Sequence, residues 1–204
     1  MQNVAYDQFY CEHIYVFSTL ALREILKNFD LEIFDIENTK THGGSNRYYI
    51  KKKVNDSYKI HNRVKIEIKK ELSFGLDKLS TYKEFERKVK KSKKNLLKIF
   101  NKLNKKNLKI IGYGATAKSC TVLNYCGLGN NDIKYFVDTT SYKINKFLPG
   151  SKILIKKYKK LDRKEVDVAY LGAWNFKEEI FKKEKSFIKR GGKFITHIPY
   201  PKII

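Results

Sequence analysis

Residues 106–204 alternate between short apolar runs and amphipathic stretches, and this alternation limits the possible folds more than any other feature of the chain. "LKIIGYG", "IKYFVD", "KILI", "VDVAYLGA" and "KFITHI" read as strands, whereas "ATAKSCTVLNYC" and "FKEEIFKKEKSFIKR" read as helices. Strands separated by helices form parallel βαβ units with right-handed crossovers. The expected class is α/β, with a Rossmann-like parallel sheet over 106–204. "KRGG" just past the last helix supplies a glycine stop.

Within that frame, "GYGATA" sets Gly112 and Gly114, with Tyr113 between them, at the passage from the first strand to its helix. The pattern is the G-x-G-x-x-A form of a dinucleotide fingerprint. Backbone N–H groups and the dipole at a helix N-terminus attract an anion. Lys118, one turn in, adds a point charge, and Asp138 ends the second strand where a ribose-binding acid sits. The competing reading is that the two glycines only permit a tight turn. "GAWNF" sets Trp174 and Asn175 just past a strand, at the edge where α/β sheets take ligands, although Trp174 fits a core equally well.

The upstream part is organised differently. Residues 1–53 read as a loop, a helix capped by Ser18, and two strands over 31–37 and 46–51. Residues 54–105 read as helical. "RVKIEIKKEL" fits a helix or a strand and is read as a helix, and Tyr82, Phe85, Val89, Leu96, Phe100 and Leu103 stripe a longer one from about Thr81 to Asn104. That segment has too few apolar residues for a domain and reads as a connector. Two loops hold polar candidates. "YCEH" groups Tyr10, Glu12 and His13, either an acid–base set or an ordinary polar loop. "THGGS" groups His42, Gly43, Gly44 and Ser45, either a ligand contact or a turn.

Composition narrows the partners. The formal charge is +23 at pH 7, yet only six of the basic residues are arginines, and the lysines are spread through every segment. Specific phosphate and base recognition favours the arginine fork, so the charge reads as solvated lysine faces and no nucleic-acid partner is expected. Three cysteines without a CxxC pair argue against a disulfide framework and against a metal site. Neither a signal peptide nor a membrane-length apolar run is visible, so a cytoplasmic location without membrane association is expected.

The blocks "YCEHIYVFSTLALREIL", "DLEIFDIE", "THGGSNRYYI", "GYGATAKSCTVLNYCGLG", "YFVDTTSYKINKFLPGSKI", "LGAWNF" and "GGKFITHIPYPKII", in that order, resemble the S-adenosylmethionine-dependent sugar C-methyltransferases. The resemblance implies a C-terminal half: residues 1–53 as the end of a methyltransferase domain, 54–105 as the helical connector, and 106–204 as a C-terminal Rossmann-like domain. It maps the family's Tyr-x-Glu-His motif onto Tyr10, Glu12 and His13. It implies C-methylation of a nucleotide-linked keto sugar through an enolate, and together with the anion-ready helix terminus it leads to the expectation of a nucleoside-diphosphate sugar at the "THGGS" and Gly112–Lys118 loops, with Asp138 and Asn175 as candidates from their places at strand ends. The family's zinc module and S-adenosylmethionine loop lie upstream of that motif. The cofactor is therefore expected in the full-length enzyme and not on this chain alone, with a separate N-terminal half as partner and no activity in isolation. The other reading is a stand-alone Rossmann-like module that binds a nucleotide sugar without catalysis. On the half-enzyme reading, Leu22, Leu26, Ile33 and Phe34 should be unusually exposed, or covered by the 81–104 helix or a second copy.

Overall fold

The computed structural model describes residues 1–39 and 44–204, and Lys40, Thr41, His42 and Gly43 lie outside the described residues. The chain forms two compact units, one from residues 1–14 and 87–204 and the other from 15–86. The three segments expected from the sequence are distributed differently. Residues 54–86 share a unit with the upstream hairpin, and residues 1–14 share one with the sheet.

In the smaller unit, helix α1 (Thr19–Lys27) begins at Ser18, whose Oγ accepts from the Ala21 N–H at 3.1 Å. Glu71, buried, caps the same terminus from a distance, its two oxygens accepting from the N–H groups of Thr19 at 2.7 Å and Leu20 at 2.9 Å. A carboxylate at a helix N-terminus meets both its unpaired donors and its dipole. Strands β1 (Leu31–Thr39) and β2 (Ser45–Lys52) pair antiparallel, with a register shift between Ile33 and Asp35. The shift lets Ile33 and Ile36 both face inward although an odd and an even position should alternate. Asp35, also buried, is bound by the guanidinium of Arg63.

Helix α2 (Asn62–Phe74) covers this hairpin. Leu26, Ile33, Ile36 and Val64 form its core, with Leu22 and Ile68 against them. Leu26 and Ile33 are therefore buried rather than exposed, and the helix over them is α2, not the one at 81–104. The stretch read as a connector supplies the missing apolar face.

The larger unit is built on a six-stranded sheet. Its strands are β3 (Ile110–Tyr113), β4 (Phe136–Asp138), β5 (Ile155–Lys157), β6 (Val168–Leu171), β7 (Lys193–Thr196) and β8 (Lys202–Ile203). The spatial order is β5-β4-β3-β6-β7-β8, parallel from β5 to β7, with β8 antiparallel at the edge. This is the Rossmann-like sheet expected, extended by a final two-residue strand not foreseen in "PYPKII". Helix α3 (Leu79–Asn104) contributes Leu96 and Phe100, fully buried, to this unit. Helix α4 (Ala117–Cys126) crosses from β3 to β4, and α5 (Lys177–Lys183) and α6 (Lys185–Lys189) cross from β6 to β7.

Gly112 lies inside β3 rather than after it. A Cβ on it would come within 2.3 Å of the buried Phe136 ring. Gly114 turns the chain with φ +86°, and its Cβ would strike Ala173 at 2.6 Å. Gly112→Ala should therefore cost about 1–3 kcal/mol through overpacking. Thermal denaturation checks this: a melting temperature equal to wild type would show that Phe136 does not need the space.

Candidate active site

In a doubly wound sheet the ligand crevice opens at the C-terminal ends of the strands, where the strand order reverses. Here the reversal falls between β3 and β6, with β4 to one side and β7 to the other. The chain leaves β3 through Gly114 into α4, and leaves β6 through Gly172 into a short turn of helix at Trp174–Phe176. Lys118 and Trp174 both stand at this edge.

The N-terminal arm is tied down at three points of the same unit. The Tyr6 hydroxyl meets Cys126 Sγ at 3.9 Å, and Thr121 Oγ1 donates to the Phe9 carbonyl at 2.9 Å. Between them, Asp7 is fully buried, and its Oδ2 accepts from Trp174 Nε1 at 2.5 Å and His197 Nε2 at 3.1 Å. A carboxylate can only accept from that imidazole, so the neutral ring carries its proton on Nε2 and Nδ1 accepts from the Tyr170 hydroxyl at 3.1 Å. Burial, followed by the neighbouring Tyr6 and Asp7 charges, holds the Tyr170 phenol far above its usual range. The relay Asp7–His197–Tyr170 is thus buried throughout. Asp7 Oδ1 has no hydrogen-bond partner among the described residues.

Just beyond this arm, Tyr10 and His13 face each other across a tight turn closed by the His13 N–H donating to the Tyr10 carbonyl at 2.8 Å. Their rings lie 4.1 Å apart, and the Tyr10 hydroxyl sits 3.0 Å from His13 Nε2. His13 Nδ1 is 3.0 Å from the Gln8 carbonyl, which can only accept. Nδ1 therefore carries the proton, and Nε2 presents a lone pair to the Tyr10 O–H. The position that an orienting carboxylate would take on the ring is filled by a backbone carbonyl, while Glu12 is exposed. Burial and then the nearby acidic charges raise the Tyr10 pKa, so the phenol keeps its proton.

Lys118 completes the group. It is only 6% exposed, and its Nζ stands 6.0 Å from the ring centroids of both Tyr10 and Trp174. Burial lowers its pKa, and the charge of Asp7 partly restores it. No hydrogen bond or ion pair reaches this ammonium among the described residues.

The other sequence candidates fall elsewhere. Asp138 already has backbone partners. Its Oδ2 accepts from the Ala115 N–H at 2.8 Å and its Oδ1 from the Thr140 N–H at 2.8 Å, so an internal carboxylate already sits at the mouth of α4. Tyr113 points its hydroxyl at Glu184, 3.1 Å away in the core. Asn175 is exposed beyond β6. Gly44 and Ser45 lead into β2 in the other unit, and His42 and Gly43 lie outside the described residues. Asp7, Tyr170 and His197 were missed, because no spacing rule links residues 190 positions apart. Among the described residues, no three His, Cys, Asp or Glu side chains gather as a metal site, and no helix is long and apolar enough to cross a membrane.

A family model described as the C-methyltransferase C-terminal domain matches residues 40–199. The C-methyltransferase NovU of Streptomyces niveus is 30% identical over 204 residues, covering 100% of this chain and 48% of that protein. The chain thus spans about half the length of the curated relative it matches.

Proposed function

Because the chain belongs to the C-methyltransferase C-terminal domain family, we propose that it is the C-terminal half of an enzyme that methylates the carbon beside the ketone of a nucleotide-linked sugar. The single observation that carries this reading is the Tyr10–His13 pair, with an imidazole lone pair fixed by Gln8 and aimed at a phenol. A carbon next to a ketone becomes nucleophilic once its proton is removed, which takes a positioned base and donors for the resulting oxyanion. On this reading the substrate carbonyl takes over the Tyr10 O–H, which frees His13 Nε2 to accept the α-proton. Glu12, exposed, has a lesser part than the motif implies.

The methyl donor of the whole enzyme is read as S-adenosylmethionine. The residues around Lys118 do not fit it, since a buried ammonium repels a sulfonium. The cofactor is assigned to the half of the longer relative outside this chain's span, which is also the proposed partner. A second reading, a nucleotide-sugar-binding module without catalysis, draws on the fact that every group of the crevice belongs to one compact unit.

Titration calorimetry with nucleoside-diphosphate sugars tests the substrate class, and tight NADH binding without a nucleotide-sugar response would overturn it. Mixing the chain with a polypeptide spanning the other half of the relative, S-adenosylmethionine and a keto sugar tests the reaction. Methyl transfer is expected, and His13→Ala should lower its rate by about 100-fold or more. Binding without methyl transfer under those conditions would favour the second reading.

A further inference from the structure

We propose that Cys11 and Cys120 form a thiol–disulfide exchange site, which closes into a disulfide when the chain meets a low-molecular-weight disulfide and so fastens the N-terminal arm to helix α4. Two contacts bring these segments together within the sheet unit. The Phe9 carbonyl accepts from Thr121 Oγ1 at 2.9 Å, across 112 positions of sequence. The Tyr10 ring centroid lies 6.0 Å from Lys118 Nζ. Cys11 is the next residue of the arm, and Cys120 falls between those two contacts on the helix. The thiols also sense each other. Burial raises the pKa of Cys120, the Lys143 charge pulls it back, and Cys11 adds to the rise.

Exposure assigns the roles. Thiolates attack disulfides, and a dissolved disulfide reaches only a thiol that solvent reaches. Cys11 is exposed and Cys120 half-buried, so Cys11 is the entry thiol and Cys120 the resolving one. Lys143, whose Nζ donates to the Ala115 carbonyl at 2.9 Å, is the cation that favours the Cys120 thiolate. The third cysteine lies deeper. Cys126 is buried, with its Sγ 3.9 Å from the Tyr6 hydroxyl.

With glutathione disulfide as the oxidant, the exchange balances in two steps. The Cys11 thiolate attacks one sulfur, the S–S bond of the reagent breaks, and one glutathione thiolate leaves. The Cys120 thiolate then attacks Cys11 Sγ, and the second glutathione leaves. Both thiol protons pass to water. The two cysteines are oxidised, and one disulfide is reduced to two glutathione molecules. The closed loop of about 110 residues strips much freedom from the unfolded chain. The reduced arm is held by noncovalent contacts, and the oxidised arm also by a covalent bond one residue from Tyr10.

The test treats the full chain with glutathione disulfide, blocks remaining thiols with iodoacetamide, and maps peptides by mass spectrometry without reduction. A peptide linking Cys11 to Cys120 is expected, together with a rise in melting temperature of about 5 °C or more that dithiothreitol reverses. Cys120→Ser should stop at a stable glutathione adduct on Cys11, and Cys11→Ser should give no crosslink. A persistent adduct on Cys11 of the unaltered chain, a crosslink to Cys126 or between two chains, or no reaction at either thiol overturns the inference. None of these outcomes touches the substrate reading, which has its own binding test.

Discussion

Glu184→Ala should destabilise the sheet unit by about 3–5 kcal/mol, because it strands two buried donors and a half-buried one at once. The carboxylate is fully buried and accepts from the Tyr158 hydroxyl at 2.7 Å, the Leu161 N–H at 3.0 Å and the Tyr113 hydroxyl at 3.1 Å. Alanine leaves a void as well as three unpaired groups. For a unit of this size the expected fall in melting temperature is about 10 °C or more. A titration adds a second readout. Burial and then the Glu184 hydrogen bond push the Tyr158 phenol up to about 12. Removing the carboxylate removes a charge that opposes phenolate, so in a folded variant Tyr158 should ionise at lower pH, read by ultraviolet absorbance. A variant as stable as wild type would mean that water replaces the carboxylate without cost.

Asp7→Ala should cost about 2–4 kcal/mol by leaving the Trp174 and His197 N–H groups without an acceptor. His197→Ala removes one of the same bonds, so the two losses should fall short of additivity, with a coupling of about 0.5–3 kcal/mol in a double-mutant cycle. Fully additive losses would refute the bond. The milder Asp7→Asn variant separates charge from packing. The Asp7 charge raises the Lys118 pKa against a larger lowering by burial. Without it the pKa falls further, the neutral amine is more populated at a given pH, and an amine-reactive reagent should label Lys118 at lower pH than in wild type. Labelling at the same pH, or only at higher pH, would show that Asp7 does not act on Lys118.

What could be read from the sequence was local. The alternation over 106–204 identified the parallel sheet because periodicity records burial on each face, and Ser18 was legible as a cap because its partner is three residues away. Tyr10 and His13 are neighbours in sequence, but spacing alone left them as an acid–base set or a polar loop, and the family resemblance singled them out. Glu71 capping α1 from 52 positions away left no local mark, and neither did the inward turn of Ile36, which depends on a register shift. The glycine loop is ambiguous in a specific way. Its pattern is shared by phosphate cradles and by tight strand–helix packing, and the nearness of Phe136 to Gly112 and of Asp138 to the Ala115 N–H could not be read from it. His197 had no visible partner because that partner lies near the other end of the chain.

The hydrogen bond between Asp7 and His197 joins positions 190 apart and places the arm that bears His13. Contacts of such long separation need the whole intervening chain to be ordered before they return any free energy, so they form late. On a ribosome, the Asp7–His13 segment emerges well before Trp174 and His197 and has nothing of theirs to dock on until they have followed. The arm bearing the base of the proposed reaction is thereby docked by a residue made 190 positions after Asp7. Chemistry at residue 13 then depends on a segment made 190 positions later, and a chain cut short before His197 would keep the Tyr10–His13 turn but lose the Asp7–His197 bond that helps dock it.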